Sequence, residues 1–363
     1  MRKHFLDNLR WIFILLLFPF HTFRIYDVFE NFYIKGSGNI ILTNFIIFFG
    51  PWIMALFFVI AGISAFYSLK KRNSKEFLKE RLLRLFIPFI SGLIILIPIQ
   101  TFFAEKFHFS VTENYFSQLI TFFTKFGDLT GYTGGFTPGH LWFILYLFII
   151  SLIALPLIKL YENSSINLNF DKISIIKIIS LFIVFWIMSG ILDIGGKSLG
   201  LFFSLFIVAY FIFSSDKILE NIEKYRWHLS TIFLACSIIN LMMYSYWGSG
   251  ILHMIYSDWT LKILFSFFIV FLSWTAILSF VGMGKKYLSF HNKWTEYFTK
   301  ASYPIYLFHQ TWIVAVAYYT FLFTSSLILQ IIIILFGSFI LTIISYELVK
   351  RTKLTRFLFG IKA

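Results

Sequence analysis

The sequence predicts an all-α polytopic membrane bundle of about ten transmembrane helices, built as one domain over residues 1–363. Three observations predict it. First, 59% of the 363 residues are hydrophobic and only 13% are charged. Second, apolar runs long enough to cross a bilayer recur from end to end, with no hydrophilic block between them long enough for a separate soluble domain. Third, the basic residues are distributed asymmetrically. With both termini cytoplasmic and the loops alternating, 25 of the 31 Lys and Arg fall on the inner side. Only Arg24, Lys35, Lys106, Lys125, Lys197 and Lys262 fall outside. That asymmetry is what the positive-inside rule demands. The net charge of +14 therefore sets topology beside a lipid bilayer and does not indicate nucleic acid.

The ten spans cover residues 9–28, 40–68, 86–103, 139–160, 173–190, 198–214, 228–246, 259–282, 302–323 and 327–349. The first follows Arg2 and Lys3, as in a signal peptide, but bulky Phe23, Ile25 and Tyr26 close it. An uncleaved first helix is the expectation. Arg10 and His21 lie eleven residues apart on this span. That is about three helical turns, or roughly 16 Å, so both point to one side. Asp7 and Arg24 extend the same stripe. Ionisable groups are costly in hydrocarbon, so the stripe faces a bundle interior or a wet cavity. Pro19 removes a helical hydrogen bond just before His21 and is expected to kink the helix.

The second span is long and is expected to tilt or overrun the membrane. A dense basic patch follows it: Lys70, Lys71, Arg72, Lys75, Lys79, Arg81 and Arg84. Anionic lipid headgroups explain Lys70 to Lys75. Arg81 and Arg84 share a helix face immediately before the chain enters the bilayer at Pro88. Their rigid forks suit phosphate, so lipid and a phosphorylated ligand both stay open. The long outer segment 104–138 ends in a Gly-rich, turn-forming stretch and delivers the chain to His140 and Trp142. A surface helix is expected over 114–126.

The seventh span holds the one cysteine, Cys236, so no intrachain disulfide or thiolate cluster can form. A small apolar filler is its expected role. In the ninth span, Ser302, Tyr306 and His309 fall on one face, with Gln310 beside it. Glu347 closes the tenth span beside Lys350 and Arg351 and is free to pair with them. No His-Glu-x-x-His or Cys-x-x-Cys spacing indicates zinc, no Gly-x-Ser-x-Gly elbow indicates a serine hydrolase, and no Gly-rich phosphate loop opens a helix. For His21, His140 and His309 the alternatives are chemistry or hydrogen bonding between helices. Residue physics thus leaves an enzyme and a carrier for a glycan or lipid-linked sugar both open.

Leu6-Asp7-x-x-Arg10, ten residues and His21 resemble the first-helix motif of acyltransferase family 3, integral-membrane enzymes that acylate cell-envelope glycans. Phe57-Phe58-x-x-x-Gly62, Arg81-x-x-Arg84 with Pro88, His140-Leu-Trp142-Phe, Ser302-Tyr303-x-x-Tyr306-x-x-His309 and Tyr346-Glu347 resemble its later motifs. Phe18-Pro-Phe-His21 and the ending Leu354 to Gly360 are most similar to the periplasmic-glucan succinyltransferase subgroup. The resemblance implies transfer of an acetyl or succinyl group from cytosolic acyl-CoA to a hydroxyl of an extracytoplasmic glycan, in the bacterial cytoplasmic membrane. It implies His21 and Arg10 as catalytic residues, and Arg81 and Arg84 as donor-binding. His140, Trp142, Tyr303, Tyr306, His309 and Glu347 become acceptor or supporting residues. No metal and no tightly bound cofactor are expected; acetyl- or succinyl-CoA is a co-substrate. Envelope-glycan synthesis proteins are the expected partners for any second transfer step.

Overall fold

Inside a bilayer the backbone has no water to bond, so an apolar run must satisfy its own amides and folds as a helix. The computed structural model describes residues 3–110, 114–127, 129–165, 173–248, 250 and 257–361. Among these, the one β feature is a bridge between Asp193 and Ser198; every other named element is helical. The helices, in chain order, are α1 (His4–Arg24), α2 (Ile40–Phe49), α3 (Ile53–Leu69), α4 (Ser74–Arg81), α5 (Ile87–Ile95), α6 (Ile97–Phe109), α7 (Tyr115–Thr124), α8 (Trp142–Glu162), α9 (Ile175–Ser180) and α10 (Phe182–Ser189). They continue as α11 (Leu199–Phe211), α12 (Asp216–Lys224), α13 (Arg226–Trp247), α14 (Trp259–Tyr287), α15 (Lys293–Phe323), α16 (Leu327–Val349) and α17 (Lys353–Leu358).

Among the described residues, six stretches are long and apolar enough to cross a membrane: Ile40–Leu69, Ser74–Phe109, Gly139–Glu162, Arg226–Trp247, Trp259–Tyr287 and Leu327–Val349. The count reaches seven if α11 and α12 form one broken span, bent by 107°. Helices α1 and α15, of 21 and 31 residues, have the length, but their polar stripes dilute the apolar character. Two expected spans take other forms. The stretch 173–190 is a pair of short helices within Ile175–Ser189, below the roughly 20 residues that a hydrocarbon core requires. The stretch 198–214 is helical only to Phe211 before the chain turns. A helix expected over 114–126 is present as α7, capped by Asn114, whose side chain accepts from the Ser117 amide.

The chain forms two compact units. The first comprises Met1–Arg10, Ile47–Lys79 and Ile149–Thr295. Its tightest seam joins α3 and α11. A Cβ on Gly62 would stand 2.9 Å from the Ala209 Cβ and overlap the Phe206 carbonyl, and Phe58 stacks on Phe202 at 4.4 Å. Glycine thus lets the two backbones meet, as small residues do between membrane helices. The Trp274 indole donates to the Ile178 carbonyl at 2.9 Å, tying α14 to α9. The N-terminal turns belong here: Lys3 pairs with Asp216, and Asn8 donates to the Leu288 and Phe290 carbonyls at 2.7 and 2.8 Å.

The second unit comprises Trp11–Ile46, Glu80–Phe148 and Glu296–Ala363. Here the chain passes from α4 to α5 through a π turn, Leu82–Phe86, closed by the Ile87 amide on the Leu82 carbonyl. Pro88 accounts for it. A proline ring collides with the carbonyl four residues earlier, here that of Arg84, and a widened turn relieves the clash. Gly360 at φ +63° packs on this turn; a Cβ there would lie 2.8 Å from Pro88 Cγ and 3.4 Å from Arg84 Cα. The C-terminal glycine is thereby explained by close approach.

The α3–α11 seam is testable. Gly62→Val forces a branched side chain against the α11 backbone. We expect a loss of about 1–3 kcal/mol, read as a lowered unfolding midpoint in detergent against an unchanged Gly337→Ala control, whose nearest neighbour atom is a Val316 methyl at 3.2 Å.

Candidate active site

The second unit gathers His21 from α1, His140 from the turn before α8, and His309 from α15. His309 is central: its ring lies 5.2 Å from that of His21 and 5.1 Å from that of His140. Tyr306 packs against His140 at 5.6 Å and His309 at 5.9 Å. His140, Tyr306 and His309 are buried and His21 is half-buried.

Hydrogen bonds select the tautomers. The His309 Nδ1 lies 2.7 Å from the Tyr306 carbonyl oxygen, which can only accept, so Nδ1 carries the proton. Nε2 of neutral His309 then presents a lone pair. It is buried and has no hydrogen-bond partner among the described residues, and the same holds for His21 Nδ1. His140 Nε2 donates to the Leu307 carbonyl at 3.0 Å, leaving Nδ1 to accept from Gln100 at 3.4 Å. The Tyr306 hydroxyl donates to the His140 carbonyl. Two imidazole nitrogens are thus held, without protein partners, in one buried cluster. Such an arrangement offers both nitrogens to the hydrogen-bonding group of a ligand.

Gln100 holds this cluster together. Its amide donates to Thr311 Oγ1 at 2.8 Å and accepts from Gln310 Nε2 at 3.1 Å, while Thr311 donates to the Leu96 carbonyl at 3.3 Å. Sequence reasoning passed over Gln100. The available signal was a side-chain amide inside an otherwise apolar run, which must find partners within the protein.

Aromatic rings fix His21. It stacks on Phe32 at 6.0 Å and 16°, and Phe20 meets it edge-on at 5.3 Å. Above it, Arg24 pairs with Asp27 at 3.1 Å and Glu30 at 2.7 Å. The segment 25–39 that follows is pinned by the 125–138 loop: Tyr33 meets Tyr132 edge-on at 5.1 Å. His108 lies 3.1 Å from the Phe32 carbonyl. Burial pushes the Tyr33 phenol up from its ordinary value and the Lys35 ammonium down. Glycines make the loop possible; Gly134, at φ +80°, has the Glu105 carboxylate where a side chain would be.

The other expected residues have their own partners. Arg10, in the first unit, pairs with Asp7 at 3.4 Å and donates to Ser64 Oγ at 2.9 Å. Arg84 pairs with Glu80 at 3.3 Å, and Arg84 with Arg81 flanks and enters the π turn. Tyr303 lies against that turn, with its Cε1 3.2 Å from the Gly360 Cβ position. Trp142 meets Tyr146 edge-on at 5.3 Å. Glu347 accepts from Tyr297 at 3.0 Å and pairs with Lys350 at 2.5 Å. Among the described residues no group of three His, Cys, Asp or Glu side chains is placed to hold a metal ion.

The sequence profile described as "Acyltransferase domain", that of acyltransferase family 3, matches residues 3–347. The chain belongs to this family and is an acyltransferase. Glucans biosynthesis protein C of Salmonella schwarzengrund is 25% identical over 389 residues, covering 99% of this chain and 94% of that protein. Proteins of the same name from Salmonella paratyphi B and Salmonella heidelberg are each 24% identical over 386 residues, with the same coverage. No solved structure matches the chain.

Gln100→Leu should expose how much the cluster depends on this amide. It leaves Thr311, Gln310 and His140 each short of a partner, at about 1–3 kcal/mol for each buried group. The expected result is a lowered unfolding midpoint together with lost acyl transfer. Gln100→Glu, which keeps the acceptor oxygen for Gln310, should retain more of the stability than the leucine variant.

Proposed function

We propose that this member of acyltransferase family 3 transfers an acetyl or succinyl group from cytosolic acyl-CoA to a hydroxyl of an extracytoplasmic glycan. His21 is the reacting centre in this reading. The observation that carries it is the packing of His21 against His309, each ring presenting a buried nitrogen that no described residue satisfies. The relatives' name speaks of glucans, which supports a glucan as acceptor.

The chemistry follows from the residues. A sugar hydroxyl is a weak nucleophile and needs a base near neutral pH. His21 takes the hydroxyl proton while the oxygen attacks the thioester carbonyl. The C–S bond breaks, the thiolate leaves and recovers the proton, and the products are an ester and a free thiol. In the covalent variant of this route, the acyl group rests on His21 before reaching the glycan. His309 packs beside His21 and offers its own Nε2 lone pair, and His140 packs on the other side of His309. Arg81 and Arg84 hold donor phosphates through their forks. Arg10, steadied by Asp7 and Ser64, holds an anionic part of the donor. A carrier that only moved a glycan would leave the thioester intact.

Ten crossings, two of them made by the short helices of 173–190 and the bent pair α11–α12, a bacterial cytoplasmic-membrane location and cytoplasmic termini belong to the same proposal, supported by the distribution of basic residues. In a Cys236→Ala background, single cysteines at Ser37 and Thr133 should react with an impermeant thiol reagent added outside. Cysteine at Ser249, which lies outside the described residues, completes the outer set. Cysteines at Ser74 and Asn292 should stay unlabelled in sealed cells. External labelling of the Ser74 position would end this topology.

The central test uses labelled acyl-CoA and a glucan acceptor in reconstituted vesicles. His21→Ala should lower transfer by roughly two to four orders of magnitude. Its unfolding midpoint should change little, since one membrane hydrogen bond contributes about 1 kcal/mol. His21→Gln keeps a hydrogen-bonding group but takes no proton at neutral pH. Near-normal transfer by that variant would return His21 to a structural role.

A further inference from the structure

Tyr303, Tyr306 and His309 recur every three residues along α15, so they rise about 9 Å along one side of the helix. The Tyr306 hydroxyl is engaged with the His140 carbonyl. The Tyr303 hydroxyl is different: it is buried and has no hydrogen-bond partner among the described residues. A buried phenol O–H is ordinarily bonded, because an unsatisfied polar group in apolar surroundings is costly. Its place is informative as well. The Tyr303 ring, Pro88 and the Arg84 backbone meet at the point where Gly360 closes on the π turn. Tyr306 lies one turn further along the same helix. A polar file thus leads from the basic π turn through Tyr303 to His309 and His21, all within the second unit.

Resting on the donor assignment above, we propose that the Tyr303 hydroxyl is a hydrogen-bonding station for the amide-bearing arm of the thioester donor, beside the Arg84 turn on the helix that carries His309. Coenzyme A thioesters carry phosphates at one end, the reacting thioester at the other, and secondary amides between. Arginine forks meet the phosphates. The reacting carbon belongs beside the imidazoles. The amides need a group that both donates and accepts, and a phenol hydroxyl does both. A wholly apolar wall would leave those amides unsatisfied at a cost in affinity. Tyr303 is therefore a positioning residue, and the glycine at 360 serves it by letting the C-terminal segment pack without displacing the ring.

The test compares two competitors of acyl-CoA on the full chain: coenzyme A itself, and adenosine 3′,5′-bisphosphate, which keeps the nucleotide phosphates but lacks the arm. Tyr303→Phe preserves the ring and its packing, which an unchanged unfolding midpoint will verify. It should weaken coenzyme A by about threefold to tenfold and leave the bisphosphate unchanged. Arg84→Gln should weaken both. Equal coenzyme A affinity in Tyr303→Phe and the natural chain would overturn the proposal and leave the phenol hydrated. Equal weakening of both competitors would overturn it too, by showing a general loss of shape. Absence of coenzyme A binding to the natural chain would overturn the donor assignment and this inference together, whereas an unaltered Tyr303→Phe on a binding-competent chain overturns the inference alone.

Discussion

The Gln100 side chain is the fixed point of the second unit. An amide in an apolar surrounding must satisfy its donors and its acceptor within the protein. Here Thr311, Gln310 and His140 do so, and they bring α6, α15 and the turn before α8 to one place. The rest of the cluster inherits its geometry from that meeting. His140, anchored by Gln100 and the Leu307 carbonyl, presents its own carbonyl to Tyr306. The Tyr306 carbonyl in turn sets the tautomer of His309. Each step uses an atom that the previous step has oriented.

Helix irregularities position the remaining parts. Pro88 widens the turn that carries Arg84, and the C-terminal glycine packs on the widened turn. Gly139, at φ +50°, lets the chain leave the preceding loop and present His140 in a single turn of 3-10 helix. Phe32, supplied by the segment after α1, lies parallel to His21 and limits its rotation. Apolar packing thus does for His21 what hydrogen bonds do for His140 and His309.

The sequence carried much of this openly. The stripe of Asp7, Arg10, His21 and Arg24 was visible because ionisable groups are rare in apolar runs. Family membership was legible in the spacing of Arg10 and His21 and in the later motifs, and the profile match over 3–347 agrees. A helix was expected over 114–126, and α7 fills Tyr115–Thr124 of that stretch. The form of residues 173–190 and 198–214 was not, since hydropathy reports apolar character and says nothing of where a helix breaks or turns by 107°.

Sequence alone determined that the chain is helical, membrane-embedded and equipped with three histidines among apolar residues. These follow from local properties: composition, period and the cost of charge in hydrocarbon. Only the tertiary structure decided that His309 stands between His21 and His140, that Gln100 binds them together, and that Tyr303 meets the Arg84 turn. Those partners lie tens to hundreds of residues apart in the chain, and helical periodicity relates only neighbours on one helix. Which faces meet is settled by close packing and by the demand that every buried polar atom find a partner, and both are properties of the folded whole.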